Sequence, residues 1–323
     1  MNASLNNGSG APLPRTGRAM PQHDDETELR CAQALEAYKA FFLKYERQEA
    51  IVSRINILRL SCLGKRDVPL DGRRLSEVSQ AGKSRMLRAY RDRMNAMPGP
   101  DGQPNPYRVL YVELKGAHTL KMLCRVLLRM LGDPHPEVGN AEDVQERVRR
   151  FIRTRGVELL IVDEVQHLNG HSNNKMDITD ELKLFLDAGI VPVVFAGNEK
   201  SRAFFLRNDQ LSARLGPALE LSPLSATQAH ERTLFKTFCR DLDDALVKHG
   251  IMRNRSGLDG AAALKGLLAA SGGHVGRVCR IVEAAVEHAV MRQADFVELY
   301  DLSHAVDTFA IPQRYIKRNP FAS

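Results

Sequence analysis

The chain has 323 residues, long enough for one large core or a core with a smaller second unit. No apolar run reaches the roughly 18 residues of a membrane-spanning helix, which excludes a helical membrane protein. A net charge of +7 favours polyanionic partners such as nucleic acid, whereas the absence of Trp and an aromatic content of only 6% argue against recognition by base stacking. If nucleic acid is bound, phosphate contacts should dominate and sequence preference should be low. Five scattered cysteines without short paired spacing suit free thiols in a reducing compartment. No apolar segment follows the N-terminal charges as a secretory signal requires, so the expected location is the cytoplasm.

Residues 1–25, rich in Asn, Ser, Gly and Pro, read as a flexible leader. From Glu26 to about Leu63, Leu35, Tyr38, Phe42 and Tyr45 recur at helical spacing, predicting one or two helices. A charged connection leads to Arg73-Arg-Leu-Ser76, a poor strand, and a helix is expected over Ser84–Met94. The segment 98–106 holds four Pro and two Gly and must be a surface loop. Arg108–Leu114 alternates and predicts a second strand. Helices over Thr119–Leu131 and Ala141–Arg155 follow, then an aliphatic strand at 157–163. A helix over Asp177–Asp187, a β-branched strand over Ile190–Ala196 and a short final strand at Leu219–Leu221 complete the alternation. Alternation of this kind implies a doubly wound parallel sheet flanked by helices.

From Ser225 the pattern becomes helical only. Ser225-Ala-Thr-Gln228 matches a capping box leading a helix to about Lys248. Further helices are expected over Asp259–Ala270, His274–Arg292 and around Leu302–Phe309. The expected division is an α/β unit over 26–223 with its N-terminal helices, a small all-α lid over 224–310 and a tail over 311–323. The tail, from Gln313 to Phe321, is basic with apolar anchors and suits either docking on a partner or a frayed terminus.

The strand Leu159-Leu-Ile-Val162 shows no polar alternation and ends in Asp163 and Glu164. Two acids at the C-terminal end of a parallel strand suit a division of labour, Asp163 on Mg²⁺ and Glu164 on an attacking water. About 75 residues upstream, Glu77-Val-Ser-Gln-Ala-Gly-Lys-Ser84 fills the last three positions of a phosphate-binding loop with Gly82, Lys83 and Ser84. In that reading the backbone N–H groups of Ser79, Gln80, Ala81, Gly82 and Lys83 wrap the phosphates of ATP. Lys83 reaches their oxygens, Ser84 ligates Mg²⁺, and Arg85 follows in the nucleotide-contacting stretch. Glu77 stands where the pattern has Gly. It either points outward with the loop still closed, or it weakens binding and slows hydrolysis. His167, close behind the acids, has no partner at ligand spacing and reads as structural.

A phosphate-loop core followed by a helical lid resembles the AAA+ ATPases. Val191-Pro-Val-Val-Phe-Ala-Gly-Asn198, Arg207-Asn-Asp-Gln-Leu-Ser-Ala-Arg-Leu215, Val162–Leu168 and Asn319-Pro-Phe321 resemble the TniB/TnsC-type transposition ATPases over roughly 30–322. The resemblance implies Asn198 as a γ-phosphate sensor, Arg214 as a finger completing a neighbouring subunit's site, and Arg277 as the lid's sensor. The alternatives are a turn residue for Asn198, a salt bridge for Arg214 with Arg207 as the finger, and a surface arginine for Arg277. It also implies contacts of Lys115, Thr119 and Lys121 with duplex DNA, for which a solvated helix start is the alternative. The implied role is a bacterial, cytoplasmic ATPase that oligomerises on DNA and links a target-selector protein of TniQ type to a transposase. A helicase loader, a plasmid-maintenance ATPase and a scaffold with a decayed phosphate loop are the rival readings.

Overall fold

The computed structural model describes residues 24–65, 67–116, 119–168, 178–206 and 208–322. Most of the expected leader and Arg207 therefore lie outside the described residues. Asp24 opens helix α1 (Asp25–Ala40): its carboxylate accepts the Thr27 N–H at 2.6 Å, and three acids occupy the first turn. The linker Phe41–Tyr45 separates α1 from α2 (Glu46–Ser61). Strand β1 (Gly72–Ser76) follows, then α3 (Lys83–Ala96), β2 (Val109–Glu113), α4 (Leu120–Leu131), α5 (Ala141–Arg155) and β3 (Leu159–Asp163). Next come α6 (Ile178–Asp187), β4 (Val193–Gly197) and two short helices, α7 (Glu199–Leu206) and α8 (Asp209–Arg214).

The four strands form one parallel sheet in the order β1-β4-β3-β2. Beyond β1, Leu215 and Leu219 add single parallel bridges to Gly72 and Leu75, so the expected final strand is reduced to isolated pairings. The expected alternation of β2 is also corrected, because Val109 through Val112 are all buried. Helix α3 lies against Val109 and Tyr111, and α4 shares a cluster with Leu110 and Val112, leaving neither face to solvent. Each face of the sheet carries its own apolar layer. Leu160, Val162, Val193 and Phe195 pack with α4, α5 and α6, while Leu159, Ile161, Val194 and Ala196 pack with α1, α2, α3 and the C-terminal helices. At about 1.5–3 kcal/mol per buried aliphatic side chain, these layers are what hold the site's strands in register.

After Pro223 the chain is helical: α9 (Ala229–Lys248), α10 (Ala261–Ser271), α11 (Val275–Met291) and α12 (Leu299–Ala305), the last extended by a π turn over Val306–Ala310. The capping box expected at Ser225 does not form. Helix α9 starts after Gln228, and the Ser225 N–H instead donates to Glu231 at 2.6 Å, a carboxylate also paired with Arg47 of α2. The tail packs back on these helices: Phe321 lies against Gly266 of α10, and the Asn319 amide donates to Ser303 at 2.9 Å. No helix among the described residues is long and apolar enough to cross a membrane.

Candidate nucleotide site

The loop from Glu77 to Gly82 leaves the end of β1 and enters α3. Gln80 and Gly82 both take positive φ, 63° and 98°, a conformation that suits Gly at the second position. Gly82 is the residue before α3, so the helix N-terminus and its unpaired N–H groups open onto the loop. Lys83 is buried, and its Nζ donates to the carbonyls of Glu77 at 2.8 Å and Val78 at 2.9 Å, pinning the loop by its own backbone. Burial pushes the Lys83 amine below its ordinary pKa, while Asp163, Glu164, Glu77 and Glu199 pull it back up.

Glu77 is turned onto the segment leading to the C-terminal helices. Its Oε1 accepts the Leu221 N–H at 2.8 Å, and its own N–H donates to Gly197 at 3.2 Å. Burial raises its carboxyl pKa, against the Leu221 amide and Lys83, which lower it.

Across the site, Asp163 is fully buried at the end of β3. Its Oδ2 accepts the Tyr111 hydroxyl at 2.6 Å and its Oδ1 the Glu164 N–H at 2.8 Å. The Tyr111 phenol is pushed to higher pKa by burial and by Asp163, with Arg88 and Ser84 pulling it back. Ser84 and Asp163, from two different elements, both act on this phenol and are hard oxygen donors of the kind that suits Mg²⁺. Glu164 has a left-handed φ of 58° and its carboxylate accepts the Gln166 amide. The Gln166 oxygen in turn accepts the Asn198 N–H at 3.1 Å, joining β3 to the end of β4. His167 closes the short 3-10 turn behind them.

The C-terminal helices complete the enclosure. The first turn of α11 lies so close to the loop that a Cβ on Gly276 would stand 2.4 Å from the Gln80 carbonyl oxygen and 2.5 Å from the Gly82 nitrogen. Glycine is the residue that permits this approach. Arg277, one residue on, rests its guanidinium 4.7 Å from the ring centroid of Tyr315 in the tail. Beside the loop, Tyr38, Phe41, Phe42, Gln48, Phe238 and Val275 line a cavity of about 170 Å³ that suits a flat apolar ring. No motif in the sequence marks this wall; its one local signal is Phe41-Phe-Leu43 between two helices.

Arg85 donates to the carbonyls of Tyr38, Lys39 and Phe41, bracing the end of α1 rather than the loop. Asn198 accepts the Lys200 N–H at 3.0 Å through Oδ1, capping the turn into α7. Arg214 is ion-paired to Asp187 at 2.6 Å, which links α8 to α6 within the chain. Asn208 reinforces the same junction through Thr179 and Asp180. Lys115 is exposed beyond β2, Thr119 caps α4 by accepting the Met122 N–H at 3.3 Å, and Lys121 lies in its first turn. Lys83 and Ser84 stand where the loop enters α3 and Asp163 acts on Lys83, whereas the Arg277 guanidinium rests on Tyr315, Arg85 on the carbonyls ending α1 and Arg214 on Asp187.

A parallel sheet, a phosphate loop and a lid helix on that loop define the α/β P-loop fold of the AAA+ class. The family model for the bacterial TniB protein matches residues 34–222, more than half of the chain, and the chain belongs to the TniB family. Among solved structures it is similar to the Aeropyrum pernix ORC2 protein in ADPNP–ADP complexes, at 14% identity, TM-score 0.57 and 84% and 71% coverage of the two chains. It is similar to the Aeropyrum pernix ORC1 protein in complex with DNA at 20% identity, TM-score 0.55 and 82% and 66% coverage. Domain III of the Thermotoga maritima replication initiation protein DnaA gives 14% identity, TM-score 0.51 and 84% and 96% coverage. No curated protein matches the sequence.

Proposed function

We propose that this chain is an ATP-dependent, DNA-binding regulator of DNA transposition, which assembles on duplex DNA and couples a TniQ-type target selector to a transposase. The single observation that carries the reading is convergence. Lys83 and the N-terminus of α3, the carboxylates of Asp163 and Glu164 that act on Lys83, and the first turn of α11 gather around one loop. Nucleic-acid-associated AAA+ chains solved with nucleotide or DNA share the fold, and membership of the TniB family supports the transposition role.

On ATP binding, Lys83 would exchange the carbonyls of Glu77 and Val78 for phosphate oxygens. Ser84 and Asp163 would hold Mg²⁺, which neutralises phosphate charge when bound. Glu164 would accept a proton from the attacking water as the bond from the γ-phosphorus to ADP breaks. Gln166 fixes that carboxylate relative to Asn198, whose amide is the proposed γ-phosphate sensor, with Arg277 reaching from the lid. Arg214 would exchange Asp187 for the neighbouring subunit's nucleotide, so that ATP, assembly and the loss of an internal ion pair are coupled. Lys115, Thr119 and Lys121 would face DNA phosphates at the start of α4. Division into an α/β unit, a lid and a tail near Pro223 and Ile311 follows the same reading. The cytoplasm of a bacterium is the proposed location.

The test is fluorescence anisotropy of a short duplex with the full chain, with Mg²⁺ and with or without a non-hydrolysable ATP analogue. The expected result is tight, sequence-tolerant binding only with the analogue, falling steeply with salt. Equal and salt-insensitive binding in both states would contradict the reading.

A further inference from the structure

The first turn of α11 carries two polar atoms that are buried with no hydrogen-bond partner among the described residues: Nε of Arg277 and Nδ1 of His274. Arg277 already has a reading as a lid contact to nucleotide; His274 has none. His274 is only 9% exposed and is the residue preceding a 17-residue helix, yet its side chain caps nothing. Two residues further on, Gly276 touches the backbone of Gln80 and Gly82. His274 is thus the residue at which the positive end of α11 comes up to the phosphate loop, its ring lying beside Gly272.

The charged groups that act on His274 are both cations: Arg277 from its own helix and Lys83 from α3. The acids of the site, Asp163, Glu164, Glu77 and Glu199, act instead on Lys83. Burial first, then Arg277 and Lys83, depress the imidazole pKa to about 4, so the ring is neutral at pH 7. A buried ring nitrogen without a partner is costly as it stands. An anion placed there supplies the missing partner and offsets the two cations, and a phosphate is the anion this loop is shaped to hold.

We infer that His274 is a phosphate-binding residue of the nucleotide site, donating from the lid as an imidazolium alongside Arg277 and Lys83. The inference rests on the nucleotide reading given above. No covalent bond changes: the neutral ring takes one proton from solvent, and its N–H donates to a phosphate oxygen whose negative charge offsets the repulsion from the two cations. Binding is thereby linked to proton uptake, which a purely structural histidine would not show.

The experiment is calorimetric titration of Mg²⁺ and a non-hydrolysable ATP analogue into the full chain at pH 7, in two buffers of different ionisation enthalpy. The wild type should show a buffer-dependent enthalpy corresponding to proton uptake. His274→Leu should bind about tenfold more weakly and lose that dependence. His274→Gln, which keeps a hydrogen-bond donor and guards against a leucine variant that fails to fold, should retain most of the affinity but also lose it. Buffer-independent enthalpy in the wild type, or unchanged affinity in a folded His274→Leu, overturns the inference while leaving the nucleotide site standing. A wild type that binds no nucleotide at all overturns the functional reading, and the inference with it.

Discussion

Strands β3 and β1 deliver the two halves of one site in different ways. β3 is aliphatic throughout, fully buried, and ends in acids held by named partners: Asp163 by Tyr111 and by the Glu164 amide, and Glu164 by Gln166. β1 carries Arg73 and Arg74, is only partly buried, and leads to a loop whose opening position is a carboxylate. Its order comes from outside the strand, through β4 along its length, the Leu215 and Leu219 bridges, and Glu77 on the Leu221 amide. A strand buried on both faces can fix catalytic side chains from its own sequence. A strand near the sheet edge needs tertiary ties to do the same.

Substitutions separate the two regions. The largest effect on activity falls on the β3 side: Glu164→Gln should cut phosphate release by about 100-fold or more while nucleotide binding persists, measured by steady-state release and calorimetry. Unchanged release would show that the activity measured does not come from this site. The largest effect on stability falls on the same strand. Ile161→Ala should cost about 2–5 kcal/mol in chemical denaturation by opening a cavity in a fully buried layer. Arg74→Ala in β1 should cost less than about 0.5 kcal/mol by the same measurement.

Glu77 tests the outside tie directly. Glu77→Gln keeps an acceptor for the Leu221 N–H and removes a carboxyl raised in pKa by burial, so stability should hold or rise slightly. Glu77→Gly removes the acceptor and should cost about 1–2 kcal/mol. Turnover in the glycine variant then tells whether the carboxylate also slows hydrolysis. A further effect is on pH dependence. With His274 depressed to about 4 in the folded chain, its contribution is fully present above the unfolded value of about 6.5 and is lost as pH falls through that window. Thermal unfolding from pH 7 to pH 4 should therefore fall less in His274→Leu than in the wild type.

What the sequence made legible follows the same division. The uniform apolar run of β3, the periodic helices α3, α4 and α5 and the Gly82-Lys-Ser84 turn are local patterns, and local patterns suffice when the segment is buried as a unit. The capping signal at Ser225 was overruled by Glu231, which is positioned by Arg47 from across the molecule. Helices α7 and α8, of 8 and 6 residues, are too short to show a period. The alternation read in β2 came from Tyr111 and Glu113. Tyr111 is buried because its hydroxyl reaches Asp163, and only Glu113 is exposed. Arg85 follows the phosphate-loop motif in sequence, but the carbonyls that end α1 take its guanidinium. Apart from the two short helices, each departure has one cause, a partner distant in sequence that no short window contains.

Whether the Glu77-bearing loop is a working cradle is decided most directly by calorimetric binding of a non-hydrolysable ATP analogue with Mg²⁺ to the full chain and to its Lys83→Ala variant. The structure predicts saturable binding at one site per chain in the wild type and its loss in the variant, with the fold of the variant retained by circular dichroism. Absence of binding in the wild type, or equal binding in a folded Lys83→Ala, would contradict it.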